Sequence, residues 1–324
     1  MTQPKKKVLI CGVTGFIGRN LLNHFLEQST YELFGTYYQT KPEQNLLHNP
    51  KVKLFKTDLT DRSSVENVVR GMDIVIQAAA TTSGAKDIVT KPYYHVTDNA
   101  VMNSLIFRAC HDHQVKHVVF FSCTVMYSEQ NQPVKESDFK YEIIDQYFGA
   151  GWTKVYLEKM CEFYSRFGTT RYTAIRHSNI YGPFDKYDLE RSHVFGATVA
   201  KVMHAKDGKI VVWGDGSEER DLLYVDDLVA FVERVLDRQR SPFELINVGY
   251  GKSISVRELV DKIIQHSGQK VKIEFDRSKP SINFKLSINI DQAKELYSWK
   301  PQISLDQGIQ KSLAWYRSHD SGKS

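Results

Sequence analysis

Three glycines near the amino terminus are the residues whose spacing points most directly to chemistry. Gly12, Gly15 and Gly18 lie between an apolar run, Val8–Cys11, and a segment with helical spacing, Phe16–Glu27. A glycine turn between a strand and a helix lets a pyrophosphate approach bare backbone, and free N–H groups at the helix start bind it. The sequence therefore predicts a dinucleotide site that includes the following residues: Gly12, Thr14, Gly15, Phe16, Ile17 and Gly18.

Other contacts to a dinucleotide are expected where later strands end. The second strand ends at residues 35–38 without the acid that would hold the ribose 2′-hydroxyl of NAD, and Lys41 nearby offers a cation for a 2′-phosphate. We therefore predict NADP in preference to NAD. The further predicted cofactor contacts are Tyr37, Lys41, Asp58, Leu59, Ala78, Ala79, Ala80, Ser122 and Lys154. Tight packing alone would also explain the three alanines among them.

The elements that must position these residues alternate between strand-like and helix-like patterns up to residue 176. This alternation predicts an α/β fold, a Rossmann-type doubly wound parallel sheet with a smaller α/β substrate-binding lobe at the C-terminal side. We predict a dinucleotide-binding domain of residues 1–177 plus about 221–249, and a lobe of residues 178–220 plus 250–324. Residues 222–236 are expected to add a strand and a helix to the large domain. Residues 253–267 are expected to form a helix capped by Ser255 and Glu258.

The composition excludes several classes of protein. The net charge of +5 is spread along the chain, whereas a nucleic-acid surface concentrates its basic residues. No apolar stretch approaches the ~20 residues of a membrane span. The four cysteines show no spacing typical of a disulfide framework or a metal site. We therefore predict a cytoplasmic protein without a metal, a nucleic-acid partner or a membrane partner.

The order of the motifs TGFIG, DLTD, QAAA, SCTVMY, WTK, NIYGP and RDLLYVDD resembles an extended short-chain dehydrogenase/reductase, of the NAD(P)-dependent epimerase/dehydratase family, over nearly the whole chain. Within that family it is most similar to nucleotide-sugar reductase/epimerases of the GDP-fucose synthase type, through residues 179–183, 192–194, 212–216, 224–227, 246–249 and 276–280. The resemblance implies an NAD(P)-dependent enzyme acting on a nucleotide-diphosphate sugar, with GDP the preferred nucleotide. It implies 4-keto reduction, or oxidation and reduction at C4.

The chain departs from the family at the catalytic Tyr-x-x-x-Lys pair. Lys154 matches the lysine, but Ala150 stands at the tyrosine position, and a methyl group exchanges no proton. Two explanations stay open. Either Ala150 replaces an original tyrosine and impairs turnover, or the chain uses another group, for which Tyr147 one turn earlier is the candidate.

Two further candidate catalytic positions follow from the resemblance. The family's Ser/Thr after the fifth strand aligns with Cys123, and Thr124 beside it is the better hydrogen-bond donor, so we favour Thr124 and keep Cys123 as the alternative. His193 matches the histidine that epimerises, but its cysteine partner aligns with Val125 or Met126, which do not titrate. A single reduction, or a redox cycle at one carbon, is therefore expected rather than double epimerisation.

The resemblance also places a diphosphate near three basic residues, Lys201, Arg220 and Lys285, although each alone would also suit a solvated surface. The full set of predicted substrate contacts is Asn179, His193, Val194, Lys201, Trp213, Arg220 and Lys285. Family members often form homodimers through a four-helix bundle, which would use residues 99–113 and 151–167. A UDP- or CDP-sugar 4-epimerase or dehydratase is the alternative enzyme, and a non-catalytic NADP-binding scaffold or sensor is the alternative of another class.

Overall fold

The computed structural model describes residues 4–81, 91–130, 132–188, 192–205, 208–278 and 285–319. Its strands are β1 (Lys7–Cys11), β2 (Glu32–Tyr37), β3 (Val52–Lys56), β4 (Ile74–Gln77), β5 (His117–Cys123), β6 (Arg171–His177), β7 (Asn179–Tyr181), β8 (Lys209–Trp213), β9 (Glu219–Tyr224), β10 (Phe243–Val248), β11 (Ser253–Ser255) and β12 (Lys272–Asp276). Its helices are α1 (Phe16–Gln28), α2 (Gln44–Leu47), α3 (Arg62–Val69), α4 (Thr97–Asp112), α5 (Phe148–Ser165), α6 (Val194–Met203), α7 (Val225–Arg238), α8 (Val256–Ser267), α9 (Asp291–Tyr297) and α10 (Leu305–His319).

Seven strands form one parallel sheet in the order β10-β6-β5-β4-β1-β2-β3. The chain runs outward from β1 on one side and then returns to build the other side, as in a doubly wound fold. The predicted α/β Rossmann-type fold is therefore confirmed. The carboxyl ends of parallel strands meet at one edge of the sheet, and the predicted cofactor residues other than Lys154 lie at or after those ends.

The apolar run of β1 explains why this sheet is covered on both faces. Val8 and Ile10 lie in one hydrophobic core, whereas Leu9 and Cys11 lie in another. Successive side chains of a strand point to opposite faces, so a continuous apolar run fits a strand with helices on both sides. Helices α1 and α7 contribute residues to the first core, and α3 and α4 to the second.

The smaller lobe has its own core and two small sheets. One sheet has the order β11-β9-β7, the other pairs β12 with β8, and the core between them includes residues of α6, α8 and α10. The strand expected at residue 222 is β9, which pairs with β7 and β11 and not with the large sheet, so its placement in the large domain was wrong. The seventh strand of the large sheet is β10 instead.

The region of residues 253–267 also differs from its prediction. Residues Ser253–Ser255 form a short strand, and the helix starts only at Val256. The Ser255 hydroxyl accepts a hydrogen bond from the Glu258 N–H at 3.1 Å, as expected of a helix cap. Residues 280–283, for which the sequence predicts a loop, lie outside the described residues. In the described part of the chain, no helix combines the length and the apolar character needed to cross a membrane.

Candidate active site

The glycine turn after β1 forms a cradle for a phosphate group. Gly12 has φ +80°, and a Cβ atom there would lie 2.8 Å from the Cα of Ala79. A Cβ on Gly18 would lie 2.2 Å from the Gly12 carbonyl oxygen. Gly15 is the N-cap of α1 and brings no side chain to it, so the N–H groups of the first turn face outward without a cap. Bare backbone and an uncapped helix start fit a dinucleotide pyrophosphate.

The second group of predicted cofactor residues lies where β2 and β3 end. Asp58 accepts hydrogen bonds from the Thr60 hydroxyl at 2.7 Å and the Thr60 N–H at 2.9 Å. These bonds, with another from the Tyr38 hydroxyl, lower the pKa of Asp58, so its carboxylate is charged at neutral pH. Leu59 is buried and Lys41 is exposed. The sequence did not predict Tyr38 as a site residue. Tyr38 follows β2 and Asp58 follows β3, so their contact depends on these two strands being neighbours in the sheet.

The three alanines after β4 pass against the glycine turn. Gln77 holds this backbone, because its side chain accepts from the Ala79 N–H and donates to the Ala79 carbonyl, each at 3.2 Å. Asn99 on α4 does the same for Thr81, with bonds of 2.9 and 3.0 Å. Sequence reasoning missed Gln77 and Asn99, although a polar residue at a buried position of a predicted strand or helix was the available signal.

Lys154 on α5 reaches the carboxyl end of β5. Its Nζ donates to the Phe121 carbonyl at 2.7 Å and lies 4.8 Å from the centre of the Phe120 ring. Burial lowers the pKa of this lysine. Ala150 lies one helical turn earlier. Ser122 is a predicted cofactor contact. In the structure its hydroxyl donates a hydrogen bond to the carboxylate of the buried Glu158 at 2.5 Å, inside the protein.

Tyr147 lies at the start of α5, facing the end of β5 and the start of β9. Burial raises the pKa of Tyr147, while the Arg220 guanidinium acts in the opposite direction. Cys123 and Glu218 also interact electrostatically with this phenol. The structure thus brings together three residues that the sequence suggested separately, Tyr147, Cys123 and Arg220.

The two candidates at the end of β5 differ in their surroundings. Burial raises the pKa of Cys123, whose sulfur accepts a hydrogen bond from the Val125 N–H. The thiol is therefore neutral near pH 7. Thr124 is buried, at 8% exposure, and its carbonyl accepts from the Tyr127 N–H.

Two histidines interact with each other near the end of β6, and one of them, His177, also interacts with Lys154. His193 is the N-cap of α6, and although its ring is exposed, the surrounding protein and the charge of Lys186 lower its pKa. His177, at the end of β6, has a pKa of about 4 because it is buried and because Lys154 and His193 act on it. Its Nδ1 donates to the Ser178 carbonyl at 2.8 Å. Sequence reasoning missed His177, whose only signal was its place just before the motif that starts at residue 179.

Four of the predicted substrate contacts fall into two groups. Trp213, which is 42% exposed, and Lys201 lie together on β8 and α6, with Lys201 Nζ donating to the Val211 carbonyl at 2.8 Å. Lys285 forms an ion pair with Glu219 at 3.4 Å, next to Arg220 on β9. The remaining two, Asn179 and Val194, begin β7 and α6, and the Asn179 amide donates to the Asp221 carbonyl at 3.3 Å.

Metal binding finds no support in the described ranges, where no three His, Cys, Asp or Glu side chains are grouped to hold an ion. The four cysteines are free thiols.

Comparison with known proteins extends this picture. The chain is 27% identical over 323 residues to a dTDP-4-dehydro-6-deoxy-D-allose reductase from Streptomyces sp, covering 97% of each chain. It is 29% identical over 293 residues to the GDP-L-fucose synthase of Escherichia coli K12, covering 85% of this chain and 86% of that protein. The UDP-glucose 4-epimerase structure from Thermotoga maritima, solved with UDP-glucose, superposes with a TM-score of 0.85 at 22% identity, covering 96% and 99% of the two chains.

The sequence model of one family matches residues 8–249, which include the glycine turn, the ends of all seven strands of the large sheet, and Lys154. This match confirms the resemblance that the motifs suggested. The chain belongs to the NAD dependent epimerase/dehydratase family.

Proposed function

We propose that this protein is an NAD(P)-dependent reductase/epimerase of a nucleotide-diphosphate sugar, with a GDP-linked 4-keto sugar as the preferred substrate. The observation that carries the proposal is the electrostatic interaction of Tyr147 with Arg220 and with Cys123 at the end of β5, the strand to which Lys154 also bonds. The names of the relatives, a GDP-L-fucose synthase and a dTDP-4-dehydro-6-deoxy-D-allose reductase, support a keto-sugar nucleotide as the substrate class.

Residues of the glycine turn and the strand ends would hold the dinucleotide, which supplies a hydride when it is bound. Tyr147 then serves as the proton donor. Because burial raises the pKa of its phenol, the hydroxyl is protonated at neutral pH and can give its proton to the sugar C4 oxygen as that carbon is reduced. Lys154 stabilises the resulting negative charge on the phenol, and Thr124 donates a hydrogen bond to the same sugar oxygen.

Arg220 is proposed to bind the diphosphate. Its guanidinium presents a planar pair of donors that matches two phosphate oxygens, and it interacts electrostatically with the Tyr147 phenol. Lys285, close by through its ion pair with Glu219, adds a second cation. Trp213 offers an exposed ring on which a nucleobase can stack, beside Lys201.

NADP is proposed in preference to NAD. The end of β2 lacks a carboxylate that would bind the 2′-hydroxyl and repel a 2′-phosphate, and the exposed Lys41 follows it. Isothermal titration calorimetry with NADPH and NADH tests this choice, with tighter NADPH binding expected.

The activity is tested with the purified chain, NADPH and a panel of 4-keto-6-deoxy sugars linked to GDP, dTDP, UDP or CDP. Loss of NADPH absorbance, fastest with the GDP sugar, is the expected result. Binding of NADPH without turnover of any sugar would instead favour the scaffold or sensor. In a separate assay with the oxidised cofactor, inversion at C4 of a UDP-hexose that carries a C4 hydroxyl, without net change in the cofactor, would favour the 4-epimerase.

A cytoplasmic homodimer is also proposed. The four free thiols suit a reducing compartment. Helices α4 and α5 pack together, with Ser104 of α4 donating to the sulfur of Met160 on α5. Large apolar side chains stay exposed on these two helices, and these are Val101, Phe148, Tyr156 and Phe163. A second copy packing α4 and α5 against them would complete a four-helix bundle.

A further inference from the structure

A buried ion pair lies directly behind the candidate site. Glu158 on α5 and Arg176 on β6 are each 3% exposed. The Glu158 carboxylate accepts from Arg176 Nη2 at 2.6 Å and from Arg176 Nε at 2.9 Å. The Ser122 hydroxyl on β5 donates to the same carboxylate at 2.5 Å. One carboxylate therefore ties a helix to the carboxyl ends of two neighbouring strands.

Each member of this cluster adjoins a residue of the candidate site, in the pairs Ser122 with Cys123, Arg176 with His177, and Glu158 with Lys154 one helical turn earlier. Residues four apart on a helix lie on the same face. Helix α5 is consequently fixed to β5 at two successive points, by Lys154 at the Phe121 carbonyl and by Glu158 at the Ser122 hydroxyl.

The far side of the cluster is also fully bonded. Arg176 Nη1 donates to the Tyr127 hydroxyl at 2.9 Å and to the Glu136 carbonyl at 3.2 Å. The Tyr127 hydroxyl donates in turn to the Asn247 side chain on β10 at 2.7 Å. A buried charge pair of this kind is a weak source of net stability, because desolvation offsets the attraction. Its more distinctive consequence is the geometry that it imposes.

We propose that Glu158 is a positioning residue, whose carboxylate fixes Lys154 against the end of β5 and keeps the lysine in its charged form. The catalytic part of this inference rests on the proposed function, whereas the state of Lys154 is measurable without turnover. Glu158 itself touches neither sugar nor dinucleotide in this scheme, since it acts through the lysine.

The charges around Lys154 agree with this role. Burial lowers the pKa of Lys154, and the groups that oppose the effect are Cys123 of β5 and, on α5 itself, Glu158 and Cys161. Burial raises the pKa of both thiols, so both are neutral near pH 7 and Glu158 is the anion among these three. From β6, His177 interacts with Lys154 and is itself neutral, and Arg176 faces Glu158.

The test is Glu158→Gln in the full chain, labelled with lysine carrying ¹³C at Cε. The Lys154 signal, assigned by its loss in Lys154→Arg, is titrated by NMR. We expect its pKa to fall by roughly one unit, because a negative charge about one helical turn away is removed. With NADPH and a keto-sugar substrate, the alkaline limb of the kcat/KM profile should move to lower pH by the same amount.

Thr173→Val is the matched control. Thr173 is a fully buried residue of β6 like Arg176, but its hydroxyl bonds to His117 at 2.9 Å near the opposite edge of the sheet. We expect it to lower the free energy of unfolding while leaving the Lys154 titration and the kinetic profile in place. This difference separates positioning of Lys154 from a general loss of packing.

An unchanged Lys154 titration in folded Glu158→Gln would overturn the proposal. Should that variant fail to fold because Arg176 is left unpaired, Glu158→Gln combined with Arg176→Met removes both charges. A smaller downward shift is then expected, because loss of the Arg176 cation partly offsets loss of the carboxylate. If the parent protein turns over no sugar, the proposed function fails, but the NMR titration still decides the role of Glu158.

Discussion

Under the proposed function, the phenol of Tyr147 gives a proton to a sugar oxygen. Its hydroxyl lies within electrostatic range of Arg220 and Cys123, where Ala150 offers only a methyl group. Tyr147 is the N-cap of α5, the helix that also carries Lys154.

Tyr147→Phe is therefore expected to lower kcat by about 10²-fold or more, since a positioned acid contributes about that much. NADPH affinity should not change. Tyr141→Phe is the control, because Tyr141 is 63% exposed, and stopped-flow measurement of NADPH oxidation compares the two. Full activity in Tyr147→Phe, or a large gain in Ala150→Tyr, would show that the proton comes from the usual position of the family instead.

Arg220 provides a second prediction for a single residue. Lysine at this position keeps the charge but loses the fork that engages two phosphate oxygens. We expect Arg220→Lys to raise KM about tenfold with a smaller change in kcat, because the diphosphate is held in the ground state and the transition state alike. Initial-rate measurements test this, with Arg277→Lys as a comparison at another exposed basic residue. A loss confined to kcat would contradict the assignment.

At the scale of the elements, the turn between β1 and α1 depends on the space around its first glycine. Gly12 and Gly71 both have positive φ, +80° and +76°, but a Cβ would meet Ala79 at Gly12 and nothing within 4 Å at Gly71. Alanine is strained at both positions, by about 1 kcal/mol. Only Gly12→Ala also obstructs the close approach of β4 and of the pyrophosphate.

Gly12→Ala should therefore abolish NADPH binding measured by calorimetry, whereas Gly71→Ala should lose only stability. The two variants carry the same kind of backbone strain, so their difference isolates the steric effect. Equal loss of binding in both would mean that strain, rather than the cradle, controls the site.

The elements also show what a sequence can and cannot predict. Runs such as Val8–Cys11 identify buried strands locally, because burial on both faces requires a continuous apolar stretch. The run in β9 looks the same, yet its neighbours are β7 and β11, and no local pattern states which strand will pair with it. His177 and Tyr38 were missed for the same reason, since their importance comes from neighbours distant in the chain.

At the scale of the whole molecule, the exposed aromatic face of α5 makes a prediction about assembly. Phe163 is 55% exposed there, and Leu296, on α9 outside the proposed bundle, is 51% exposed. If α4 and α5 form the dimer interface, Phe163→Asp should yield monomers in light scattering, because a charge would be buried at the interface. Leu296→Asp should leave the dimer intact. A parent protein that is monomeric at micromolar concentration would contradict the proposal.

The fold as a whole should lose stability in mild acid, and one buried histidine allows this loss to be measured. His117, 1% exposed where β5 begins, bonds to Thr173 and Gln239, and burial lowers its pKa from 6.5 to about 4. Below pH 6.5 the His117 ring takes up a proton in the unfolded chain but stays neutral in the folded chain. Its contribution to the free energy of unfolding is therefore complete above pH 6.5 and falls as the pH drops towards 4.

This predicts that the free energy of unfolding falls by about 2 kcal/mol between pH 8 and pH 5 because of His117 alone. His117→Gln should remove that share of the pH dependence, as seen in urea unfolding at both pH values. If the parent and the variant lose the same stability between pH 8 and pH 5, the pH dependence does not come from the His117 ring.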